Sequence, residues 1–401
     1  MKSNNMTSER KKTIVSIVLC FLTASLIASF FCSCQKDDEE EYIPPVEHVL
    51  FVYMGGDNDL SSETYQKIEA IQKGWDGNPA RKIVIYSDPR DNVPLLVEIV
   101  KENGQNVQKV IRRYEEENSA SSKTMERAIR EIKNLYPAPS YGLLIFSHAS
   151  GWLPKGMLKQ PKSIMIDGKD EMELADFATA IPDKAFDYIV LETCFSAGIE
   201  VVYELRDKTA FILASSAEIV SPGFTDVYPE AVSDLLKKDL ESFATKVHSH
   251  IEQKQGDRQS STLSIINTSR LDALASFVKQ NCDLSKEVQI NDIQKFDRYA
   301  YRLFFDFRDY YSRLLETEGQ RQELDRLIND CVVWKAATKR FMPNTNGFNI
   351  KEHSGMTAYI LQEKFPVLNE AYSRTGWPEA TVNSPDEMRI EMEAGSVHFM
   401  H

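Results

Sequence analysis

Short apolar runs alternate with amphipathic stretches between about residues 48 and 230. A strand that is covered on both faces is a continuous hydrophobic run, whereas a helix that packs on a sheet repeats its apolar residues every three to four positions. The pattern therefore predicts an α/β fold in which a mainly parallel sheet is flanked by helices. The predicted strands of this sheet are residues 48–56, 81–89, 141–148, 186–193 and 209–216.

The stretches between these runs predict the connecting elements. Residues 61–75 and 121–136 have the periodicity of helices, and residues 94–114 predict a hairpin at the flank of the sheet. A polar loop is predicted after residue 148, and a short helix follows it near residues 171–180.

Beyond about residue 230 the pattern changes to longer helical segments, for example residues 270–284 and 299–316. Residues 355–365 predict one more strand. We therefore expect two regions: an α/β region over residues 48–230, and a mainly helical C-terminal half over residues 231–401 that packs on it.

The first 34 residues have the pattern of a targeting segment rather than of a folded element. A basic flank that ends at Lys12 precedes residues 13–33, which carry no charge. The end of this segment resembles the signal of bacterial lipoproteins, in which a cysteine that follows small residues is lipidated, and Ser33 makes Cys34 the better candidate. The resemblance implies a lipid anchor at the outer membrane. An uncharged stretch of this length can also span a bilayer as a helix, so a retained transmembrane anchor is the alternative.

Residues 35–47 predict an acidic linker before the first strand. Acidic residues directly after a lipidated cysteine also resemble the signal that exports lipoproteins of Bacteroidetes to the cell surface. We therefore expect a position in the bacterial cell envelope, with the membrane as a partner through the lipid. The 401-residue chain has a formal charge of −13 and a pI of about 5.2. An acidic surface repels nucleic acid, which is not expected as a partner.

Two residues that could carry chemistry, His148 and Cys194, lie where predicted strands end. In an open α/β sheet the ligand site lies outside the carboxyl ends of the strands, and adjacent strands are about 4.8 Å apart. The two side chains could therefore meet, and an imidazolium would then favour the thiolate form of the cysteine. A thiol in a hydrophobic segment is also commonly inert, as we predict for Cys282 and Cys331, so the spacing alone leaves both interpretations open.

An ordered set of short motifs resembles the clostripain family of cysteine peptidases, which belongs to the caspase-like clan. The two motifs that contain the candidate residues are "HASGW" (148–152) and "FDYIVLETC" (186–194). The resemblance implies a caspase-like α/β catalytic region over residues 48–230. The other motifs of the set are "GGDNDLS" (55–61), "EVVYEL" (200–205), "ASSAE" (214–218) and "EAYSRTGW" (370–377).

The resemblance also implies an activity, the hydrolysis of peptide bonds in protein or peptide substrates through a thioester acyl-enzyme. Cys194 would be the nucleophile, and His148 would be the general base and acid. The backbone N–H groups of Ala149 and Cys194 would form the oxyanion hole. Two functions of other kinds remain open: an inactive surface lipoprotein that uses the fold as a binding module, and a cysteine-dependent acyl transferase.

The sequence leaves open which residue is preferred before the cleaved bond, at the P1 position of the substrate. Glu192 stands where the family has an aspartate. Family members that cleave after Arg or Lys have an acid directly after a Pro-Gly turn, where this chain has Phe224. Asp226 or Glu218 could supply the missing acid, so both basic and apolar P1 residues are possible. These four residues are the expected substrate contacts.

No metal ligand or cofactor is predicted. Calcium stimulation is known in the clostripain family, and the loops at residues 57–60 and 167–171 are acidic. Neither loop matches the spacing of a calcium-binding loop, and the cysteines lack the spacing of a zinc site. Calcium stimulation therefore rests on the resemblance alone.

Overall fold

The computed structural model describes residues 44–157 and 163–382. The expected lipidation site at Cys34, the transmembrane alternative and most of the linker lie outside these residues. The described residues from Pro45 onward belong to one compact unit. None of the helices in this part of the chain is long and apolar enough to cross a membrane.

Strands and helices alternate through most of the chain. The strands of the described residues are β1 (His48–Gly56), β2 (Arg81–Pro89), β3 (Leu95–Glu102), β4 (Gln105–Arg113), β5 (Tyr141–Phe146), β6 (Met165–Asp167), β7 (Asp170–Met172), β8 (Phe186–Glu192), β9 (Thr209–Ser215), β10 (Thr262–Asn267), β11 (Phe305–Asp306), β12 (Val332–Ala337), β13 (Arg340–Phe341), β14 (Phe348–Asn349) and β15 (Thr357–Ala358). The helices of these residues are α1 (Ser61–Gly74), α2 (Ser122–Leu135), α3 (Leu174–Ala180), α4 (Ile199–Glu204), α5 (Tyr228–Leu236), α6 (Leu240–Glu252), α7 (Leu271–Asn281), α8 (Phe307–Arg313), α9 (Glu318–Cys331), α10 (Pro366–Tyr372) and α11 (Gly376–Thr381).

A nine-stranded sheet is the centre of the fold, with the strand order β12-β10-β9-β8-β5-β1-β2-β3-β4. Its five middle strands, from β9 to β2, are parallel. Antiparallel pairs continue the sheet on both sides. The predicted α/β fold with a mainly parallel sheet flanked by helices is confirmed.

The middle strands are apolar along their whole length because both faces of the sheet are covered. Every residue of β1 and β5 is buried. On one face Phe51 and Ile145 belong to a core that includes residues of α2, α3, α4, α7 and α9. On the other face Val52 and Leu144 belong to a core that includes residues of α1, α5 and α6.

The C-terminal half contributes more to the sheet than its helical pattern predicted. β10 lies antiparallel beside β9, and β12 lies antiparallel beside β10. Residues before and after position 230 therefore form one sheet. The strand predicted at residues 355–365 is only the two-residue β15, which pairs with β11 outside the central sheet.

Residues 299–316 are not the single helix that the sequence predicted. Only α8 is helical there, and an irregular loop over residues 297–304 precedes β11. The buried carboxylate of Asp297 holds this loop, since it accepts hydrogen bonds from three backbone N–H groups within it. The donors are Tyr299 at 3.2 Å, Leu303 at 2.9 Å and Phe304 at 3.0 Å.

Candidate active site

His148 and Cys194 leave the same edge of the sheet from neighbouring parallel strands. In the pairing of β5 with β8, Phe146 lies opposite Glu192. His148 lies two residues after Phe146, and Cys194 lies two residues after Glu192. The structure therefore brings the loop that carries the imidazole and the loop that carries the thiol together at the carboxyl ends of the strands, where open α/β sheets bind ligands.

The imidazole of His148 has a carboxylate partner that the sequence reasoning did not identify. Its Nε2 lies 2.6 Å from Asp59 Oδ1. Asp59 follows β1, which is the neighbour of β5 on the side away from β8. An ionised carboxylate can only accept, so Nε2–H donates to Asp59, and this contact orients the ring. The sequence signal for Asp59 was its place in the acidic motif at residues 55–61.

The thiol of Cys194 is half-buried and has a backbone donor directed at it. The N–H of Ile219 lies 3.3 Å from Cys194 Sγ. Ile219 belongs to the segment after β9, the strand next to β8. A hydrogen bond to the charged form of a group favours ionisation, so this donor stabilises a thiolate at the site.

The histidine loop and the cysteine loop are in direct contact. Gly151 has a φ of +64°, and a Cβ at this position would lie 2.6 Å from the carbonyl oxygen of Phe195. Glycine meets both requirements without strain. Phe195 also has a positive φ, of 58°, which costs a residue with a Cβ roughly 1–2 kcal/mol. Its ring stacks on Phe304 at 4.4 Å, and this packing holds the strained residue in place.

Glu192, one of the four expected substrate contacts, lies in the interior of the fold. Its carboxylate is buried and forms an ion pair with the equally buried Lys67 of α1, at an Oε1–Nζ distance of 2.5 Å. The N–H of Phe224 donates to the same oxygen at 2.7 Å, and the hydroxyl of Tyr228 donates to the other oxygen. Burial raises the pKa of Glu192, and the charge of Lys67 and these donors oppose the rise.

Phe224, another expected substrate contact, is also buried. Phe224 is 1% exposed, and its ring packs edge-on against Phe243 of α6 at 5.9 Å. The Pro-Gly turn before it covers the buried ion pair instead, because Lys67 donates to the carbonyl of Pro222 at 3.1 Å. A Cβ on Gly223 would lie 2.4 Å from Glu192 Oε1. The turn therefore packs against the buried ion pair of Lys67 with Glu192.

Glu218 is the acid that lies beside the thiol. It immediately precedes Ile219, whose N–H is directed at Cys194 Sγ. Both of its carboxylate oxygens accept hydrogen bonds from Arg298, at 2.7 Å from Nε and 2.7 Å from Nη2. The side chains of this ion pair are 22% and 21% exposed, so it lies at the surface of the site rather than beneath it.

Asp226, the other acid expected near the substrate, is bound at α6. Its carboxylate lies 3.4 Å from His250 Nε2 and 3.3 Å from Lys254 Nζ. The structure therefore separates the four expected substrate contacts: Glu192 and Phe224 are buried, Asp226 pairs with α6 and the residues after it, and Glu218 stays beside Cys194.

A buried pair of acids lies near the same edge, at the end of β2. Both carboxylate oxygens of Asp88 are buried. Burial and then the charge of Asp167 raise the pKa of Asp88 to about 8. Asp167 accepts a hydrogen bond from the N–H of Ser119. Among the described residues, no group of three or more His, Cys, Asp or Glu side chains could hold a metal ion.

The chain was compared with known families and structures. The family model of the clostripain family, Peptidase_C11, matches residues 52–357. An inactive zymogen C11 protease from Parabacteroides distasonis has a similar structure, with a TM-score of 0.75 and 29% identity over 85% of this chain and 100% of that chain. A secreted C11 cysteine protease from Bacteroides thetaiotaomicron, in complex with an irreversible peptide inhibitor, has a TM-score of 0.74 and 23% identity over 84% of this chain and 99% of that chain. No curated protein sequence matches the chain significantly.

The family match covers most of the described chain, and it includes the loops of Asp59, His148 and Cys194. The similar structures share the α/β fold of this chain over nearly their full lengths. The chain belongs to the clostripain family of C11 cysteine proteases.

Proposed function

We propose that the protein is a cysteine endopeptidase that uses Cys194 as nucleophile and His148 as general base and acid. The observation that carries this proposal is the register of β5 and β8. Phe146 pairs with Glu192, and His148 and Cys194 each follow two residues later. The inhibitor complex of the Bacteroides thetaiotaomicron protein supports a peptide as the substrate. The expected reaction is hydrolysis of a peptide bond in a protein or peptide.

The chemistry proceeds in two steps. His148 Nδ1 takes the proton of the Cys194 thiol, and Sγ attacks the carbonyl carbon of the scissile bond. The imidazolium, which the Asp59 carboxylate orients, then donates its proton to the leaving amine and a thioester remains. Water hydrolyses the thioester with His148 again as the base, and this returns the free thiol.

The negative charge of each tetrahedral intermediate requires donors at the strand ends. The backbone N–H groups of Ala149 and Cys194 are the proposed oxyanion hole. Ala149 is buried in a loop that is fixed by a hydrogen bond from Ser150 N to Ser163 O at 2.8 Å. Fixed backbone donors stabilise charge that develops in the transition state without reorganising first.

The proposed position of the enzyme is the bacterial cell envelope, with Cys34 lipidated and the acidic residues 35–47 as a spacer. The support is the uncharged segment 13–33 followed by small residues and a cysteine. An outer-membrane anchor would place the peptidase where extracellular or periplasmic proteins are its substrates.

Labelling by a peptidyl electrophile tests the peptidase proposal. The wild-type protein should be labelled and should hydrolyse a mixed fluorogenic peptide library, whereas Cys194→Ala should do neither. His148→Ala and the double variant should be as inactive as Cys194→Ala, because the two residues act as a unit.

Cys282→Ala is the matched control for the labelling. Its thiol is half-buried and burial raises its pKa to about 12, so it is a poor nucleophile. The control should keep full labelling and turnover. Hydrolysis by purified Cys194→Ala at the wild-type rate would refute the proposed function.

A further inference from the structure

The ion pair of Glu218 with Arg298 is carried by the residue that directly precedes Ile219, whose backbone N–H contacts Cys194 Sγ. A substrate carbonyl carbon must lie against Cys194 Sγ, which is 3.3 Å from the N–H of Ile219. Neighbouring residues have Cα atoms about 3.8 Å apart, so Glu218 is within reach of a long P1 side chain. The carboxylate of Glu218 would attract an Arg or Lys at P1 if it were free.

Arg298 already makes the contacts that a basic P1 side chain would make. Its guanidinium binds both Glu218 oxygens in the parallel geometry that an arginine prefers with a carboxylate. Its third nitrogen donates to the carbonyl of Thr345 at 2.8 Å. The charge of Glu218 is thereby neutralised by a residue of the same chain.

The loop that carries Arg298 is fixed against the thiol-bearing loop. The ring of the next residue, Tyr299, packs on the ring of Phe195 at 5.6 Å. Burial, followed by the charge of Glu218, raises the pKa of Tyr299. Asp297 holds the loop through backbone N–H groups, and these hydrogen bonds do not involve the side chain of Arg298.

The two acid–cation pairs near the site differ in how easily they can open. Lys67 and Glu192 are 0% and 1% exposed and cannot exchange partners with a substrate. Arg298 and Glu218 are each about one-fifth exposed, and water and an incoming side chain can reach them. Partly exposed ion pairs are weak compared with buried ones, so competition for Glu218 is possible.

We propose that Arg298 determines P1 specificity by occupying Glu218, so that the wild-type enzyme discriminates against Arg and Lys at P1 and prefers uncharged residues there. The proposal rests on the proposed peptidase function. A basic P1 side chain must displace Arg298 before it can pair with Glu218, whereas an uncharged side chain can bind without breaking the ion pair.

Kinetics with matched peptides test this inference. The peptides should differ only in P1, with Arg, Lys, Leu and Ala compared. In Arg298→Ala, kcat/KM for P1 Arg should rise by at least about tenfold, while kcat/KM for P1 Leu should stay within about twofold. The added Glu218→Gln change should remove the gain, because the amide lacks the charge that pairs with the substrate. Arg298→Lys should give a smaller gain, since an ammonium group cannot form the paired hydrogen bonds of a guanidinium.

Arg308→Ala is the matched control variant. Arg308 makes the same two-bond contact with Asp325, at 2.8 and 3.0 Å, between α8 and α9. Its loss should leave the ratio of P1 Arg to P1 Leu cleavage unchanged. If Arg298→Ala changes kcat/KM equally for P1 Arg and P1 Leu, or changes neither, the proposal is overturned.

Binding to an inactive variant separates this inference from the proposed function. In the Cys194→Ala background, a fluorescent peptide with P1 Arg should bind about tenfold more tightly when Arg298 is also changed to Ala, and Glu218→Gln should reverse the gain. This measurement does not depend on turnover. An unchanged Kd, or no binding of either peptide in both backgrounds, would overturn the proposal, whereas a wild type without activity on any peptide would refute only the peptidase function.

Discussion

His148 Nε2 lies 2.6 Å from Asp59 Oδ1, and this contact joins the first loop of the sheet to the histidine loop. The Asp59 side chain is 80% exposed, whereas that of His148 is 21% exposed. The contact is therefore a solvent-screened one that orients the ring more than it stabilises the fold. Asp59 acts through His148 and is a positioning residue.

Asp59→Asn should lower kcat by about tenfold and change KM little, because the amide neither holds the imidazolium nor fixes the ring tautomer as the carboxylate does. Asp57→Asn, in the same loop, is the control and should stay within about twofold of the wild type. Kinetics on one fluorogenic peptide give both parameters. A rise in KM with an unchanged kcat would show that Asp59 binds substrate instead of positioning His148.

The buried pair of Lys67 and Glu192 predicts a large effect on stability. Glu192→Gln leaves the buried Lys67 charge with Glu63 as its remaining carboxylate, at the longer distance of 3.3 Å, which should lower the free energy of unfolding by about 3 kcal/mol. Lys67→Met combined with Glu192→Gln should recover part of this loss, since the poorly compensated buried charge is then absent. Urea denaturation followed by fluorescence measures the difference.

The exposed pair of Arg326 with Glu323 provides the comparison for that experiment. Arg326→Ala should leave the midpoint of urea denaturation nearly unchanged, because water screens both charges. A Glu192→Gln midpoint equal to that of Arg326→Ala would contradict a structural role for the buried pair.

The arrangement of the candidate site could be predicted where it depends on strand order. Predicted strands at residues 141–148 and 186–193 are continuous apolar runs because both faces of a parallel sheet are covered. Parallel strands end at one edge, so the proximity of the loops of His148 and Cys194 followed from pattern and topology alone.

The side-chain partners of the site could not be predicted, since they come from segments distant in sequence. Lys67 lies on an amphipathic helix, where a lysine is normally exposed, and nothing local indicates that Glu192 lies beneath it. The apolar residues within 299–304 are spaced as they would be in a helix, although they form a loop. The sequence therefore did not indicate this loop, and the contact of Arg298 with Glu218 could not be predicted.

The edge strand β12 and its neighbour β10 were missed for a related reason. β12 follows α9 without a loop and continues its apolar pattern, so the sequence gives no boundary between them. Short runs of this length fit either a helix or a strand until a neighbouring strand is known.

Cys34→Ala should release the protein from the membrane fraction or block removal of residues 1–33, because Cys34 is the proposed site of the lipid anchor. Fractionation and intact mass of the purified protein measure both outcomes. Cys282→Ala serves as the control and should stay in the membrane fraction. A Cys34→Ala protein that remains membrane-bound with residues 13–33 attached would support a transmembrane anchor instead.

The buried acid Asp88 predicts a pH dependence of stability. Its pKa is raised from 3.8 to about 8 in the folded protein by burial and by the charge of Asp167. Between about pH 4 and pH 8 the folded protein keeps a proton that the unfolded chain releases, so the free energy of unfolding falls as the pH rises through this window. Because Asp88 and Asp167 titrate as a coupled pair, both carboxyl groups contribute to this fall in the free energy of unfolding.

Asp88→Asn should remove much of this fall, since the amide is neutral at every pH and similar in size. The melting temperature of the variant relative to the wild type should therefore increase from pH 5 to pH 8. Asp176→Asn changes an exposed acid on α3 and should leave the wild-type profile unaltered. Melting curves at half-unit pH steps make the comparison, and parallel profiles for Asp88→Asn and the wild type would show that Asp88 is ionised in the folded protein at neutral pH.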